Sequence, residues 1–481
     1  MSSLLWEACE WAASLRLADI PADVRELAIA QALSQAAAAV ATRRHPVSTR
    51  LLAAIEGSSW AERAARNALL TMALDFDETA FAGHLGHACA GAVLACAADA
   101  NVSGERALVA QVAASEVAAR LTAAVTLGPA RGQAAGHTHA VGTAVGASVV
   151  LGLSPAQMAG AVGLALAQAR RVLMPAFMGS DDKFWMAARP ILDAAKCVQL
   201  AQRGSIGVPA LLEGPGGVLE TLADVAVPEA MADYGRRWHL RTLSVKHVPG
   251  CAYITALVEA AAALGPLGLD DVAGAEADVS IFTLGMEAES SPFLAGSRTP
   301  LPALGFSAGY NLAAALERGG LDVGDLHGSA LASPARWRLA GKVVLRHDPA
   351  LTMAALAATA PVGAAIAWAG GRAFPYLLAH GADEKLAHAV IEAASAGGTG
   401  LVTVAKRVGA RVKVTLKDGT VLESERAAAT GSCQEPAGSR LAGAAAKLRG
   451  QLEFGPDPSD QLTELLLNLA RLSPAELRRL A

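Results

Sequence analysis

The sequence predicts a mainly α protein: a large all-α helical body with an inserted smaller α+β lid domain, and an active site in the cleft between them. Three observations carry this. Apolar residues make up 53% of the chain and charged residues only 17%, so a large buried core can form. Capped segments of helical period fill the first half, and the period switches to alternation near Gly265 and back near Cys433. The 481 residues accordingly divide into a helical domain (1–265), an α+β lid domain (266–432) and C-terminal helices that rejoin the body (433–481).

Alanine is abundant while aromatics are only 4%, a composition suited to helices whose axes approach closely over small side chains. "GERALVAQVAASEVAARLTAAV" keeps a helical period. In "LSPAQMAGAVGLALAQA", Ser154 is a natural N-cap, Pro155 takes the first helical position, and Gln157 completes a capping box. "ARPILDAAKCVQLAQRG" closes on Gly204, with Pro190 read as a helix start or a kink. Beyond Gly265, "EADVSIFTLGMEA", "WRLAGKVVLRHDP" and "ARVKVTLKDGTVLESE" alternate like strands. In the last, Val412, Val414 and Leu416 share a face, and Lys417-Asp418-Gly419 makes a hairpin turn. "SDQLTELLLNLARL" and "SPAELRRLA" return to helix, with Ser473, Pro474 and Glu476 forming another capping box.

The net charge of −4 comes with no basic stripe, which argues against nucleic acid as a partner. The start, "MSSLLWEACEW", carries Glu7 and Glu10 where a signal peptide would be basic. Apolar windows such as "LAIAQALSQAAAAVA" are too short and too rich in Ala and Gln to span a bilayer. Cys9, Cys89, Cys96, Cys197, Cys251 and Cys433 form no CxxC pair and read as reduced thiols. The expectation is a soluble cytoplasmic protein with no membrane partner.

Chemistry concentrates in "DFDETAFAGHLGH". Asp75 and Thr79 share a face if the segment is helical, and His84 and His87 stand three apart before an apolar helix. The plainer reading makes Asp77 and Glu78 solvated turn acids and His87 a capping or packing residue. In "AAGHTHAVG", His137 and His139 share a face if the segment is a strand, a metal-ligand spacing. Four imidazoles converging would make a zinc site and a metal-dependent hydrolase. Against that reading, the chain has no thiolate pair and no HExxH helix, so no metal and no cofactor are expected. Lys183 in "GSDDKFWMAARP" must run its stem along buried surface. Lys246 in "LSVKHVPGC" precedes a Pro-Gly turn; lysines beside an apolar cleft suit a substrate carboxylate. Tyr310 in "GFSAGYNLAAAL" opens a helix, to donate its hydroxyl proton or to pack.

Taken in order, these segments resemble the MmgE/PrpD family, which includes 2-methylcitrate dehydratase and cis-aconitate decarboxylase. The resemblance runs from "DIPADVRELA" to "VKVTLKDGT" and is strongest over residues 70–255. "DFDET" and "HLGH" are similar to the family's D-F-D-D-T and H-P-x-G, which matches Asp75, Thr79 and His84. "ASEVAARL" resembles its G-Y-E-V-x-x-R element, and "GHTHAVG" stands where it has a second histidine. Spacing favours His137 there, with His139 the alternative. "DDKFWMAARPILDAAKCVQLAQRG" carries over Lys183, "VPALLEGPGGVL" resembles the E-G-x-x-G turn, "VKHVPGC" carries over Lys246, and "FSAGYNLAAAL" carries over Tyr310. Three departures stand out: Glu78 as the fourth acid, the reduced "AFAG", and Cys251 where decarboxylase-like members carry histidine. A neutral thiol there removes a carboxylate partner or proton donor and leaves open whether the substrate is a tricarboxylate.

The resemblance implies a helical body with a lid, no cofactor, usually a homodimer, and a small-molecule carboxylate substrate. It implies a cofactor-independent lyase, a dehydratase first, with decarboxylase or epimerase as the alternative and recruitment to a biosynthetic pathway in view. The roles that follow are His84 and His137 as acid/base pair, Asp75 as orienter or base, Lys183 and Lys246 as carboxylate binders, and Tyr310 as lid-side donor. Thr79, His139 and Cys251 are expected to touch substrate. Lysines on a carboxylate lower the cost of the adjacent carbanion, and a histidine near neutral pKa moves the proton.

Overall fold

The computed structural model describes residues 3–128, 132–208, 210–454 and 460–480. Pro209 and Ser459, which belong to two of the stretches read above, lie outside the described residues.

Helix α1 (Ala22–Arg43) and helix α2 (Trp60–Ala73) lead to the site. Ser59 and Glu62 cap α2 reciprocally. Strand β1 (Glu78–Ala80) follows, then a π-helical turn, His87–Ala92, that runs into the helix Val93–Asp99. Helix α3 (Gly104–Val125) is buried along its whole length except at Glu105 and Arg106. It is long and apolar enough to cross a membrane, but its apolar stretch is wholly enclosed by the fold. Helix α4 (Ala135–Leu151) packs against it. Helix α5 (Pro155–Ala167) starts on the Ser154–Gln157 capping box, and helix α6 (Asp182–Gln202) ends at Gly204, which takes φ +90°.

Strand β2 (Leu243–Val245) pairs antiparallel with β1, with Glu78 opposite Val245 and Thr79 opposite Ser244. Strand β3 (Val272–Val279) begins the one larger sheet. Helix α7 (Ala308–Arg318), strand β4 (Val343–His347), strand β5 (Ala410–Leu416), strand β6 (Val421–Arg426) and helix α8 (Ala437–Leu452) complete the elements used below. The sheet order is β4-β3-β5-β6, with β3 and β4 parallel and the other pairs antiparallel. Ala410, Val412 and Val414 of β5 face inward, and Gly419 at φ +89° closes the β5–β6 turn. Helix α8 packs along α1. One apolar core joins the helices to the inner face of the sheet; a second, smaller one joins Leu127 and Val227 to Ile366, Leu377 and Val390.

Three local expectations are corrected. "EADVSIFTLGMEA" is strand only to Val279; a helix, Ile281–Ser290, follows directly after Ser280. "WRLAGKVVLRHDP" begins inside the helix Pro334–Ala340 and becomes strand at Val343. Pro190 lies inside α6, eight residues beyond its start. Proline lacks the N–H that would bond the carbonyl four residues back. Here that carbonyl belongs to Met186, and the His139 ring Nδ1 lies 3.3 Å from it.

Candidate active site

Helix α2 ends at Leu74, and Asp75 takes φ +52°. Left-handed backbone at a non-glycine residue costs of order 1–3 kcal/mol and persists only where the surroundings enforce it. Phe81, at φ +51°, makes the second such turn at the far end of β1. Ala80 and Gly83 then exchange backbone hydrogen bonds at 2.9 Å each way. The two strained turns bracket three residues of strand and fold His84 back over Asp77. The segment is therefore not helical, and Asp75 and Thr79 do not share a helix face.

Asp75, Asp77 and Glu78 are all buried, so the solvated-turn reading does not hold. The Asp75 carboxylate accepts from Lys183 Nζ at 2.6 Å and from Lys246 Nζ at 2.7 Å. Those two ammonium groups hold its pKa well below the usual carboxylate range despite burial. Asp77 accepts from His84 Nδ1 at 2.7 Å, lies 3.3 Å from His87 Nε2, and pairs with Lys246 at 3.2 Å. Thr71 bonds the other ring nitrogen of His87 at 2.7 Å. The β1–β2 ladder sets Lys246 here: its N–H donates to the Asp77 carbonyl at 3.3 Å, directly after the last paired residue. Lys183 arrives from the first turn of α6, its ammonium 4.3 Å from the Phe306 ring.

His84 Nε2 lies 3.6 Å from Asp75 and its side chain is 18% exposed, into a cavity of about 330 Å³. Asp75, Thr79, His84, Arg171 and Cys251 line this cavity, together with Phe282, Phe306, Tyr376 and Lys406 from later in the chain. Cys251 accepts from the Tyr253 N–H at 3.4 Å, and burial pushes its thiol up to about 12.

Several expected contacts are placed elsewhere. "GHTHAVG" is helical, not strand; residues two apart on a helix point about 200° away from each other. Neither His137 nor His139 lines the cavity. Burial and Arg171 lower His137 to about 4, so it is neutral. His139 is fully buried, its Nε2 2.8 Å from the His84 carbonyl, where it supports His84 rather than touching substrate. The four imidazoles therefore do not converge on one point. Asp77, His84 and His87 do offer three ligand atoms within 4.8 Å of one another. Lys183 and Lys246 sit behind Asp75 and do not face the cavity, because a buried ammonium needs a counter-charge and the aspartates supply it. The Tyr310 hydroxyl donates to the Asp325 carbonyl at 2.6 Å and does not line the cavity, so its proton is engaged in holding its own segment.

Sequence reasoning missed Asp77 as the partner of His84, and Lys406, whose ammonium donates to Thr79 Oγ1 at 2.8 Å. It also missed Lys447 of α8, which donates to Ser34 at 3.1 Å and to the Phe76 carbonyl, tying the C-terminal helix to the site. Glu116 accepts from the N–H groups of His239 and Leu240 at 3.0 and 2.7 Å, and Arg120 donates to the Arg237 carbonyl at 2.5 Å. That buried pair fixes the approach to β2, and with it the position of Lys246.

Fold and centre together define a mainly helical protein in which a carboxylate-bonded histidine faces a largely apolar cavity. Residues 58–230 match the family model described as the MmgE/PrpD N-terminal domain, so the similarity to the MmgE/PrpD family is shown over that stretch. The family includes lyases such as 2-methylcitrate dehydratase, which suggests an enzyme of dehydratase or lyase type. No curated protein matches the chain.

Proposed function

We propose that the protein is a cofactor-independent lyase that removes the proton next to a substrate carboxylate and eliminates water. The observation that carries this is the Asp77–His84 hydrogen bond of 2.7 Å at the cavity wall. Asp77 fixes the proton on Nδ1 and leaves Nε2 as the base, and it stabilises the imidazolium once formed. His84 Nε2 takes the α-proton, the C–H electrons form the double bond, and the β-hydroxyl leaves with a proton from the same imidazolium. With His137 away from the cavity, one histidine serves both steps. The Asp75–Asp77–Lys183–Lys246 group supplies a fixed, charge-balanced wall that needs no reorganisation during the reaction. Decarboxylation or epimerisation uses the same first carbanion and is the runner-up.

In this reading residues 266–432 act as the lid, since they contribute Phe282, Phe306, Tyr376 and Lys406 to the cavity lining. The protein works as a homodimer: Leu173, Trp185 and Leu200 are exposed together beside α6 and suit a partner copy. Six free cysteines, five of them buried, suit a cytoplasmic enzyme. The Asp77–His84–His87 cluster favours a second reading, a metal-dependent hydrolase. Lys246 already neutralises Asp77, which weighs against a cation there. Activity that survives dialysis against EDTA supports the lyase; loss restored by zinc supports the hydrolase. The lyase itself is tested by NMR in deuterium oxide with a panel of hydroxy acids and unsaturated acids, where proton abstraction leaves deuterium on carbon.

A further inference from the structure

We propose that Lys406 and Thr79 together hold the substrate carboxylate, and that the substrate carries no more than two carboxylates on an otherwise apolar body. This rests on the reading that the cavity is where a carboxylic acid loses its α-proton.

The charges of the cavity lead to it. Lys183 and Lys246 are spent on Asp75 and Asp77. The cationic side chains that do line the cavity are Lys406 and Arg171. Arg171 is half-buried and donates to the Leu222 carbonyl at 3.1 Å. Lys406 is only 6% exposed, and among the described residues its ammonium makes no ion pair within 4 Å, Asp77 acting on it only from farther away. Its partners are the Thr79 hydroxyl at 2.8 Å and the face of Tyr253, 5.9 Å away. A buried ammonium without a counter-ion is costly, and a ligand anion is what such a site lacks.

Thr79 completes the arrangement. Its oxygen accepts from Lys406, so its own proton is free to donate into the cavity. Two donors, one of them charged, then stand side by side on the wall that also bears His84. Phe177, Met186, Tyr253, Phe282, Met286 and Phe306 also line the cavity and offer surface for an apolar body, beside uncharged polar groups such as Gln133 and Thr138. A tricarboxylate would bring three negative charges to two cations beside the Asp75 carboxylate.

The test uses 3-phenylpropanoate and citrate as probes, with affinity measured by titration calorimetry on the full chain. 3-Phenylpropanoate should bind the wild type more tightly than citrate. Lys406→Met should weaken it about 10- to 100-fold, the size of a charge-assisted hydrogen bond, while Lys406→Arg stays within a few-fold. Lys406→Met should also raise the unfolding temperature, because it removes an uncompensated buried charge. Burial lowers the Lys406 pKa to about 8, so affinity should fall above about pH 8 in the wild type and not in the arginine variant. The titratable neighbours hold one state across that range: Asp77 is well below it, Lys246 and Tyr253 are raised, and Cys251 and Cys433 are pushed up to about 12 and about 11. Absent binding of 3-phenylpropanoate, tighter binding of citrate, or unchanged affinity in Lys406→Met overturns the proposal. If Lys406→Met loses the probe yet no acid in the panel exchanges deuterium, the lyase reading fails and the carboxylate site stands. If His84-dependent exchange proceeds with unchanged KM in Lys406→Met, the reverse holds.

Discussion

Asp77 and His84 are joined by a 2.7 Å hydrogen bond from Nδ1, while Asp75 stands 3.6 Å from Nε2 on the other side of the ring. The two aspartates therefore divide their work: Asp77 orients the imidazole and Asp75 anchors the lysines. Asp77→Asn removes the charge that selects the tautomer and supports the imidazolium. Its kcat should fall about 10²–10⁴-fold with little change in KM, comparable to His84→Ala. Steady-state kinetics on a reacting acid measures it, and near-normal turnover would detach Asp77 from catalysis.

Asp75 is a folding residue as much as a site residue. Asp75→Asn leaves Lys183 and Lys246 facing each other without its charge, which should cost about 3–5 kcal/mol in urea unfolding. Adding Lys183→Met should restore part of that loss. The pH dependence follows from the depressed pKa of Asp75. Its stabilisation is fully present above the unfolded value of about 3.9 and is lost as pH falls below it towards the folded value. The wild type should lose stability in acid more steeply than the double variant. Equal slopes would contradict the pairing.

Much of the site was legible because its residues sit in ordered local motifs. Asp75, His84, Lys183 and Lys246 are each marked by a short pattern, and the fold brings them to one centre. What local pattern cannot carry is which charge meets which. Lys183 and Lys246 look like free cations in sequence, yet both are consumed by aspartates far away in the chain. Lys406 stands alone in "TVAKRVG" with no motif, and only tertiary packing gives it a cavity and, among the described residues, no ion-pair partner. "GHTHAVG" mixes Gly, Thr and Val, which propensity assigns to neither helix nor strand, so burial against α3 decides it. "SIFTLGMEA" alternates and is nonetheless helical, because short apolar runs do not distinguish the two periods.

The proposed homodimer predicts a solution mass about twice 48.8 kDa. Light scattering at micromolar concentration checks it. Replacing Leu173 and Leu200 by glutamate should shift the mass to the monomer, since both are exposed beside α6. A wild-type monomer would contradict it.

The most direct measurement is deuterium incorporation by NMR, wild type against His84→Ala, with His87→Ala as the companion. His87 lies fully buried behind Asp77, bonded to Thr71, and is out of reach of a ligand. The expected result is deuterium at the carbon next to the carboxylate of at least one acid with wild type. His84→Ala should lower that rate about 10²–10⁴-fold. His87→Ala should retain most of it, with circular dichroism confirming that all three proteins are folded. Exchange that survives in His84→Ala but not in His87→Ala, or a wild type that labels no acid at all, would contradict the central claim that His84 is the base.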